Sequence, residues 1–140
     1  MDKKIIDGKI VSSEIRQKIK IFGDKLTSKT GKTPGLAVVL VGENPASKVY
    51  VKNKIEKTKE VGFNSIEHKL DEKVTEEKLL QVVDDLNANT EVQGILVQLP
   101  LPNHVNSDKV LDRITPEKDV DGFHANNVGK LWSGLNSLVP

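Results

Sequence analysis

The stretch SKVYVKNK, Ser47 to Lys54, sets a tyrosine, Tyr50, four residues before a lysine, Lys54. On a helix, side chains at that spacing stand one turn apart on the same face. A lysine partly withdrawn from water at a cleft wall can move protons near neutral pH, because burial disfavours its charged form. A tyrosine one turn earlier offers a flat face for a planar ligand and a hydroxyl to position it. The alternative is an ordinary lysine-rich helix with a partly packed tyrosine, since lysine is seldom buried.

Two other segments carry polar groups in telling places. In GILVQLPLPNH, Gln98 interrupts an otherwise apolar strand end, where its amide needs a specific partner. That partner is either the backbone of the following loop or a ligand. Pro100 and Pro102 stiffen that loop, each fixing its own φ and restricting the residue before it. In PEKDVDGFH, Asp119 and Asp121 stand two residues apart, just before Gly122. One carboxylate can cap a helix beginning near His124, and the other can accept paired N–H donors from a ligand such as an aminopyrimidine. The spacing leaves open which aspartate does which.

Other chemistries find little support. Asp-x-Asp-Gly is similar to part of a calcium loop, but the remaining ligand positions are missing, so no metal is expected. His68, His104 and His124 lack zinc-site spacing and read as surface or loop residues without a chemical role. Gly31-Lys32-Thr33 has Leu26 where a phosphate-binding loop would have its first glycine, and no G-x-G-x-x-G occurs, so no dinucleotide site is read in these residues.

The elements that must hold these groups are set by periodicity. Ile15, Ile19, Phe22 and Leu26 recur at three- and four-residue spacing after Ser12-Ser13, which predicts a capped helix over 12–29 that ends at the turn TGKTPG. LAVVLVG, 36–42, is a continuous apolar, β-branched run suited to a strand covered on both faces. A second helix is predicted over 45–61, with proline tolerated at its first turn and Gly62 ending it. On it Val51, Ile55, Thr58 and Gly62 form the stripe that packs on the sheet. Tyr50 and Lys54 border that stripe, and Lys48, Lys52 and Lys59 lie on the far flank. FNSIEHKL, TEEKLLQVVDDLNAN and VQGILVQLP then read as strand, helix and buried strand. The order β-α-β-α-β predicts an α/β domain with a mostly parallel sheet flanked by helices, whose ligands gather at the carboxyl ends of the strands.

Composition narrows the class. A chain of 140 residues with 36% hydrophobic side chains supports one domain with a real core. Its 21 basic and 20 acidic residues give a net charge of +1, too little to draw it to nucleic acid or an anionic membrane. The absence of cysteine excludes disulfides, thiolate metal sites and cysteine nucleophiles, and with no apolar leader or spanning segment the expected location is the cytoplasm.

Taken together, VGENPASKVYVKNKIEKTKEVG, VQGILVQLPLP and ITPEKDVDGFHANNVGKL resemble, in order and separation, the blocks that characterise the methylenetetrahydrofolate dehydrogenase/cyclohydrolase family. The resemblance implies a bifunctional one-carbon enzyme. Such an enzyme oxidises 5,10-methylenetetrahydrofolate to the methenyl form with NADP, or NAD in some members, and hydrolyses that cation to 10-formyltetrahydrofolate. It implies that Lys54 is the central catalytic residue, that Tyr50 stacks on the folate, that Gln98 tunes the lysine and that Asp121 holds the pterin. Val97, Leu99 and Pro100 join these four in lining the substrate site. Hydrolysis needs a group that takes a proton from water and returns one as the ring opens, which an amine can do.

Family members carry a further Rossmann-type nucleotide domain. Residues 1–140 are therefore expected to be the N-terminal folate-binding catalytic domain, truncated before the NADP-binding domain. Dehydrogenase activity is expected to be lost in this chain, while hydrolysis, which consumes only water, can persist. The intact protein is expected to be a homodimer with a small-molecule folate substrate and no nucleic-acid or membrane partner. Two other readings remain: a folate-binding module without turnover, and a nucleic-acid binder acting through the lysine-rich helix, which net charge argues against.

Overall fold

The computed structural model describes residues 6–139. Eight elements succeed one another: α1 Gly8–Thr30, β1 Gly35–Val41, α2 Pro45–Glu60, β2 Asn64–Leu70, α3 Glu76–Ala88, β3 Gly94–Val97, α4 Ser107–Arg113 and α5 Ala125–Trp132. The predicted β-α-β-α-β order holds, and the three strands are parallel in the order β2-β1-β3. The outer residues of the expected 1–140 domain, 1–5 and 140, lie outside the described residues.

The apolar run of β1 is buried on both sides. On one face Ala37, Val39, Val41, Ile95 and Val97 pack with Leu79, Val83 and Leu86 of α3 and Val110 of α4. On the other, Val38, Leu40 and Leu96 meet Val51 and Ile55 of α2, with Leu36 and Val120 alongside. Each fully buried side chain of this size contributes about 1.5–3 kcal/mol. The helices fall on opposite faces because the chain leaves β1 for β2 in one direction and returns past β1 to β3 in the other, and right-handed crossovers then place them oppositely. The two departures part at the carboxyl ends of β1 and β3, where such sheets open a crevice for ligands.

Two elements differ from expectation. The first helix starts earlier than Ser12: the Asp7 carboxylate accepts N–H bonds from Lys9 at 2.8 Å and Ile10 at 3.3 Å, and both serines lie inside the helix. Its apolar stripe is also not covered. Ile15 is 50% and Phe22 67% exposed, and the buried residue of α1 is Gly23, where an added Cβ would lie 2.4 Å from the Phe63 ring. Finally, α4 was not read from sequence; its seven residues are too few to show a helical period.

Candidate functional site

Asn44 caps α2 by accepting the Ser47 N–H at 3.1 Å, and Pro45 opens its first turn, so the helix rises from the carboxyl end of β1. Val51 and Thr58 are buried beneath it as predicted, while Lys48, Lys52 and Lys59 are exposed. Lys48 pairs with Glu43, and Lys52 lies 3.9 Å from Glu56. Lys54 differs from these three. It is half-buried, and its Nζ donates to Gln98 Oε1 at 3.3 Å across the gap between α2 and the end of β3.

Gln98 finds one partner for its amide in the following loop and the other in Lys54. Its N–H continues the ladder to Val39 O at 2.9 Å, and its Nε2 donates to Leu99 O at 2.8 Å. A carbonyl can only accept, so this bond turns the amide nitrogen to the loop and leaves Oε1 for the lysine. Beneath Lys54 the Thr58 hydroxyl donates to the Lys54 carbonyl at 2.8 Å. The amine itself is held at its tip, by Gln98.

The structure also separates the two aspartates. Asp119 is buried at 2% exposure, and its Oδ2 accepts the His124 N–H at 2.8 Å and Asn127 Nδ2 at 3.0 Å. It is the structural member. Asp121, two residues on, is half-buried, and no hydrogen bond offsets the effect of burial on its carboxyl. Burial pushes that carboxyl above the usual range; the Lys54 charge opposes the shift, and the Asp119 charge adds to it. Among the described residues the Asp121 carboxylate makes no hydrogen bond, which leaves its oxygens for a ligand's donors.

The remaining predicted residues divide. Tyr50, one turn before Lys54, is 63% exposed, which leaves its ring free to receive a ligand. Leu99 is half-buried against the α3 side of the core, and Pro100 borders an open basin of about 810 Å3 with Gly42, Asn44 and His104. Val97 is 2% exposed, with its side chain in the core, so what it offers a ligand is main chain. An apolar groove of about 420 Å3 over Gly35, Gly94 and Val120 lies at the opposite, amino-terminal ends of the strands.

His104 Nε2 meets Val74 O at 2.8 Å, His124 caps α5, and His68, expected on the surface or in a loop, is a half-buried residue of β2. Among the described residues no acidic or histidine cluster could hold a metal ion, and no helix is long and apolar enough to cross a membrane. Asn127 was given no role from the sequence, although it lies in the block ITPEKDVDGFHANNVGKL; on the short helix α5, spacing alone does not mark an asparagine as the partner of a buried carboxylate.

Residues 6–121 match the family model described as tetrahydrofolate dehydrogenase/cyclohydrolase, catalytic domain. The chain is 52% identical over 140 residues to "Bifunctional protein FolD 1" of Roseobacter denitrificans, covering 100% of this chain and 47% of that protein. It superposes with a TM-score of 0.92 and 47% identity on a bifunctional FolD methylenetetrahydrofolate dehydrogenase/cyclohydrolase from Campylobacter jejuni, covering 95% of this chain and 47% of that one. A Trypanosoma brucei methylenetetrahydrofolate dehydrogenase-cyclohydrolase complexed with NADP cofactor and inhibitor matches with a TM-score of 0.91 at 33% identity, over 96% of this chain and 46% of that one. The chain thus spans about half the length of the relatives it matches.

Proposed function

We infer the work of this site from the premise that the chain belongs to the tetrahydrofolate dehydrogenase/cyclohydrolase family, which the match over residues 6–121 establishes. The protein binds a reduced folate at the carboxyl ends of β1 and β3, and its residues 1–140 are the folate-binding catalytic half. Lys54 serves as the proton-transfer group, Gln98 orients its amine, Tyr50 stacks on the folate, and Asp121 accepts N–H donors of the pterin. Leu99, Pro100 and the main chain of Val97 line the same wall. The observation that carries this reading is the 3.3 Å bond from Lys54 Nζ to Gln98 Oε1, made where the sheet's connections part.

In hydrolysis of the methenyl cation, water adds to the one-carbon bridge and loses a proton, a ring nitrogen gains a proton as its bond to that carbon breaks, and the new hydroxyl gives up its proton as the formyl C=O forms, so that one proton is released overall. A neutral amine can accept the first proton and return the second. A cationic folate beside Lys54 disfavours a second positive charge there, which supports this order of events. Asp121 anchors the ring through paired N–H bonds, the geometry a carboxylate suits.

NADP, when bound, supplies the hydride acceptor for the oxidation of 5,10-methylenetetrahydrofolate. The residues here do not fit it: no glycine-rich nucleotide loop occurs in the 140 residues. We therefore assign NADP binding, hydride transfer and homodimer formation to the full-length protein and propose cytoplasm as its compartment. The chain by itself is expected to hydrolyse methenyltetrahydrofolate without reducing NADP. Decay of methenyltetrahydrofolate absorbance, compared between this chain and Lys54→Met, tests the reading. Equal rates at the uncatalysed level would overturn it.

A further inference from the structure

We propose that Asp119 and Asn127 are positioning residues for this site, a buried pair that fixes the turn from which Asp121 faces Lys54. The proposal rests on the reading of Asp121 as the group that meets the ligand, and it assigns work to two residues outside the ligand's reach. The turn is anchored on every side. Before it, Lys118 Nζ donates to the carbonyls of Leu86, Asn87 and Asn89 at 3.2, 2.7 and 2.8 Å, tying the segment to the end of α3. Lys118 O accepts the Ile95 N–H at 2.7 Å, and Asp119 bridges to Ile95 beside β3.

Within the turn, the Gly122 N–H donates to Asp119 O at 3.2 Å, with Gly122 at a φ of 65° that a side chain would resist. After it, Asp119 Oδ2 holds the His124 N–H at the cap of α5, and Asn127 Nδ2 bonds both that oxygen and Pro116 O, at 3.0 and 2.8 Å. The start of α5 is thereby pinned to both sides of the turn. Between these anchors Val120 packs on the α2 side of the core, and the half-buried Asp121 that follows it feels the Lys54 charge.

A carboxylate at position 119 is more than the bond to the His124 N–H requires, since an asparagine carbonyl accepts that bond without charge. The charge has an effect on the site: it acts on Asp121 against the pull of Lys54, and these two are the charged groups that bear on that carboxylate, from its own loop and from α2. Asp119 thus fixes where Asp121 stands and biases it toward accepting a proton, while Asn127 holds Asp119 in place.

The test uses the ligand-free 140-residue chain and follows the Asp121 carboxyl by NMR as pH is varied, in wild type, Asp119→Asn and Asn127→Ala. Asp119→Asn keeps an acceptor for the His124 N–H and removes the charge, and it should move the Asp121 midpoint to lower pH. Should that variant fail to fold, Asn127→Ala, which leaves the bond to the His124 amide, carries the same readout. It is expected to move the midpoint toward the ordinary carboxylate value as water reaches a loosened turn. A role confined to holding the fold would lower stability and leave the midpoint unmoved.

Calorimetry with 5-formyltetrahydrofolate, a stable reduced folate, adds a second readout: Asn127→Ala should weaken binding about tenfold or more through misplacement of Asp121. An Asp121 midpoint unmoved in every folded variant overturns the proposal, and a shift in either supports it. Failure of the wild-type chain to bind folate would instead count against the proposed function and leave the titration to decide this one.

Discussion

Replacing Gly94 with alanine should disturb the site from the opposite end of its own strand. Gly94 opens β3, and an added Cβ would lie 2.5 Å from Val120 Cγ1 and 3.2 Å from Leu36 Cδ1. Carbon atoms rest about 3.5–4.0 Å apart, so Val120 must retreat by about 1 Å, whereas the tip of Leu36 can swing aside. Val120 cannot swing, because its branched side chain is stiff at χ1 and its predecessor Asp119 is buried and bonded. The shift therefore passes to the backbone that carries Asp121.

Overpacking of this kind costs about 1–3 kcal/mol. Alanine offsets part of that by restricting the unfolded chain, by about 0.4–1 kcal/mol. With a slope of about 1–3 kcal/mol per molar urea, a net loss near 1 kcal/mol lowers the midpoint by roughly 0.3–1 M. Folate affinity or turnover should fall more steeply, since a displacement of about 1 Å at a reacting group can cost roughly 100-fold. Urea unfolding and folate calorimetry on Gly94→Ala, Val120→Ala and the double variant measure both effects. Removing the methyl that Gly94→Ala strikes should make the second substitution cheaper in the double variant. Equal cost of Gly94→Ala in both backgrounds, with folate binding unchanged, would refute the reasoning.

Two other outcomes are expected from different parts of the molecule. Gly129→Ala on α5 meets nothing within 4 Å, so it should stabilise the chain by about 0.5–1 kcal/mol through helix propensity alone; a lower urea midpoint would contradict this. The Arg113 guanidinium, bonded to Asp84 at 2.6 and 2.8 Å, holds that carboxyl below its usual range, and the Lys109 ammonium with the Asn106 N–H does the same to Glu76. Both pairs join α4 to α3, and because the folded values are depressed, their support is present above the unfolded values near pH 4 and lost as pH falls through the folded ones. The gap in urea midpoint between wild type and Arg113→Gln should therefore close as pH is lowered below about 4; a constant gap would count against the pairing.

The scaffold was readable wherever burial leaves a period in the sequence. Continuous apolar residues in 36–41 marked a strand covered on both faces, and the Val51, Ile55, Thr58 stripe told which side of α2 meets the sheet. The same logic placed Lys54 and Tyr50 at the edge of that stripe, where one is half-buried and the other open. It failed where capping or tertiary pairing decides. Asp7 begins α1 through side-chain bonds that a preference for the Ser12-Ser13 pair overlooked, and α4, though Val110 reaches the core and Lys109 and Arg113 pair with α3, is too short to repeat an apolar period. The stripe of α1 was a true helical signal, yet Ile15 and Phe22 remain exposed, since periodicity reports that a face is apolar and not what covers it.

The division of labour between Asp119 and Asp121 could not be read from spacing, and the reason is geometric. In extended backbone, residues two apart point the same way, which would have sent both carboxylates to one side. The tight turn that closes on Gly122 breaks that alternation, with the Gly122 N–H returning to Asp119 O. One carboxylate is driven inward to His124 and Asn127, and the other stays half-buried under the influence of the Lys54 charge. A ligand-facing acid also has to keep its acceptors free, so the residue with the richer hydrogen bonding in the folded chain is the poorer candidate for recognition. Asn127, inside the block ITPEKDVDGFHANNVGKL yet with no role read for it there, directs both bonds of its side-chain nitrogen to the segment that leads into the turn, at Pro116 and Asp119.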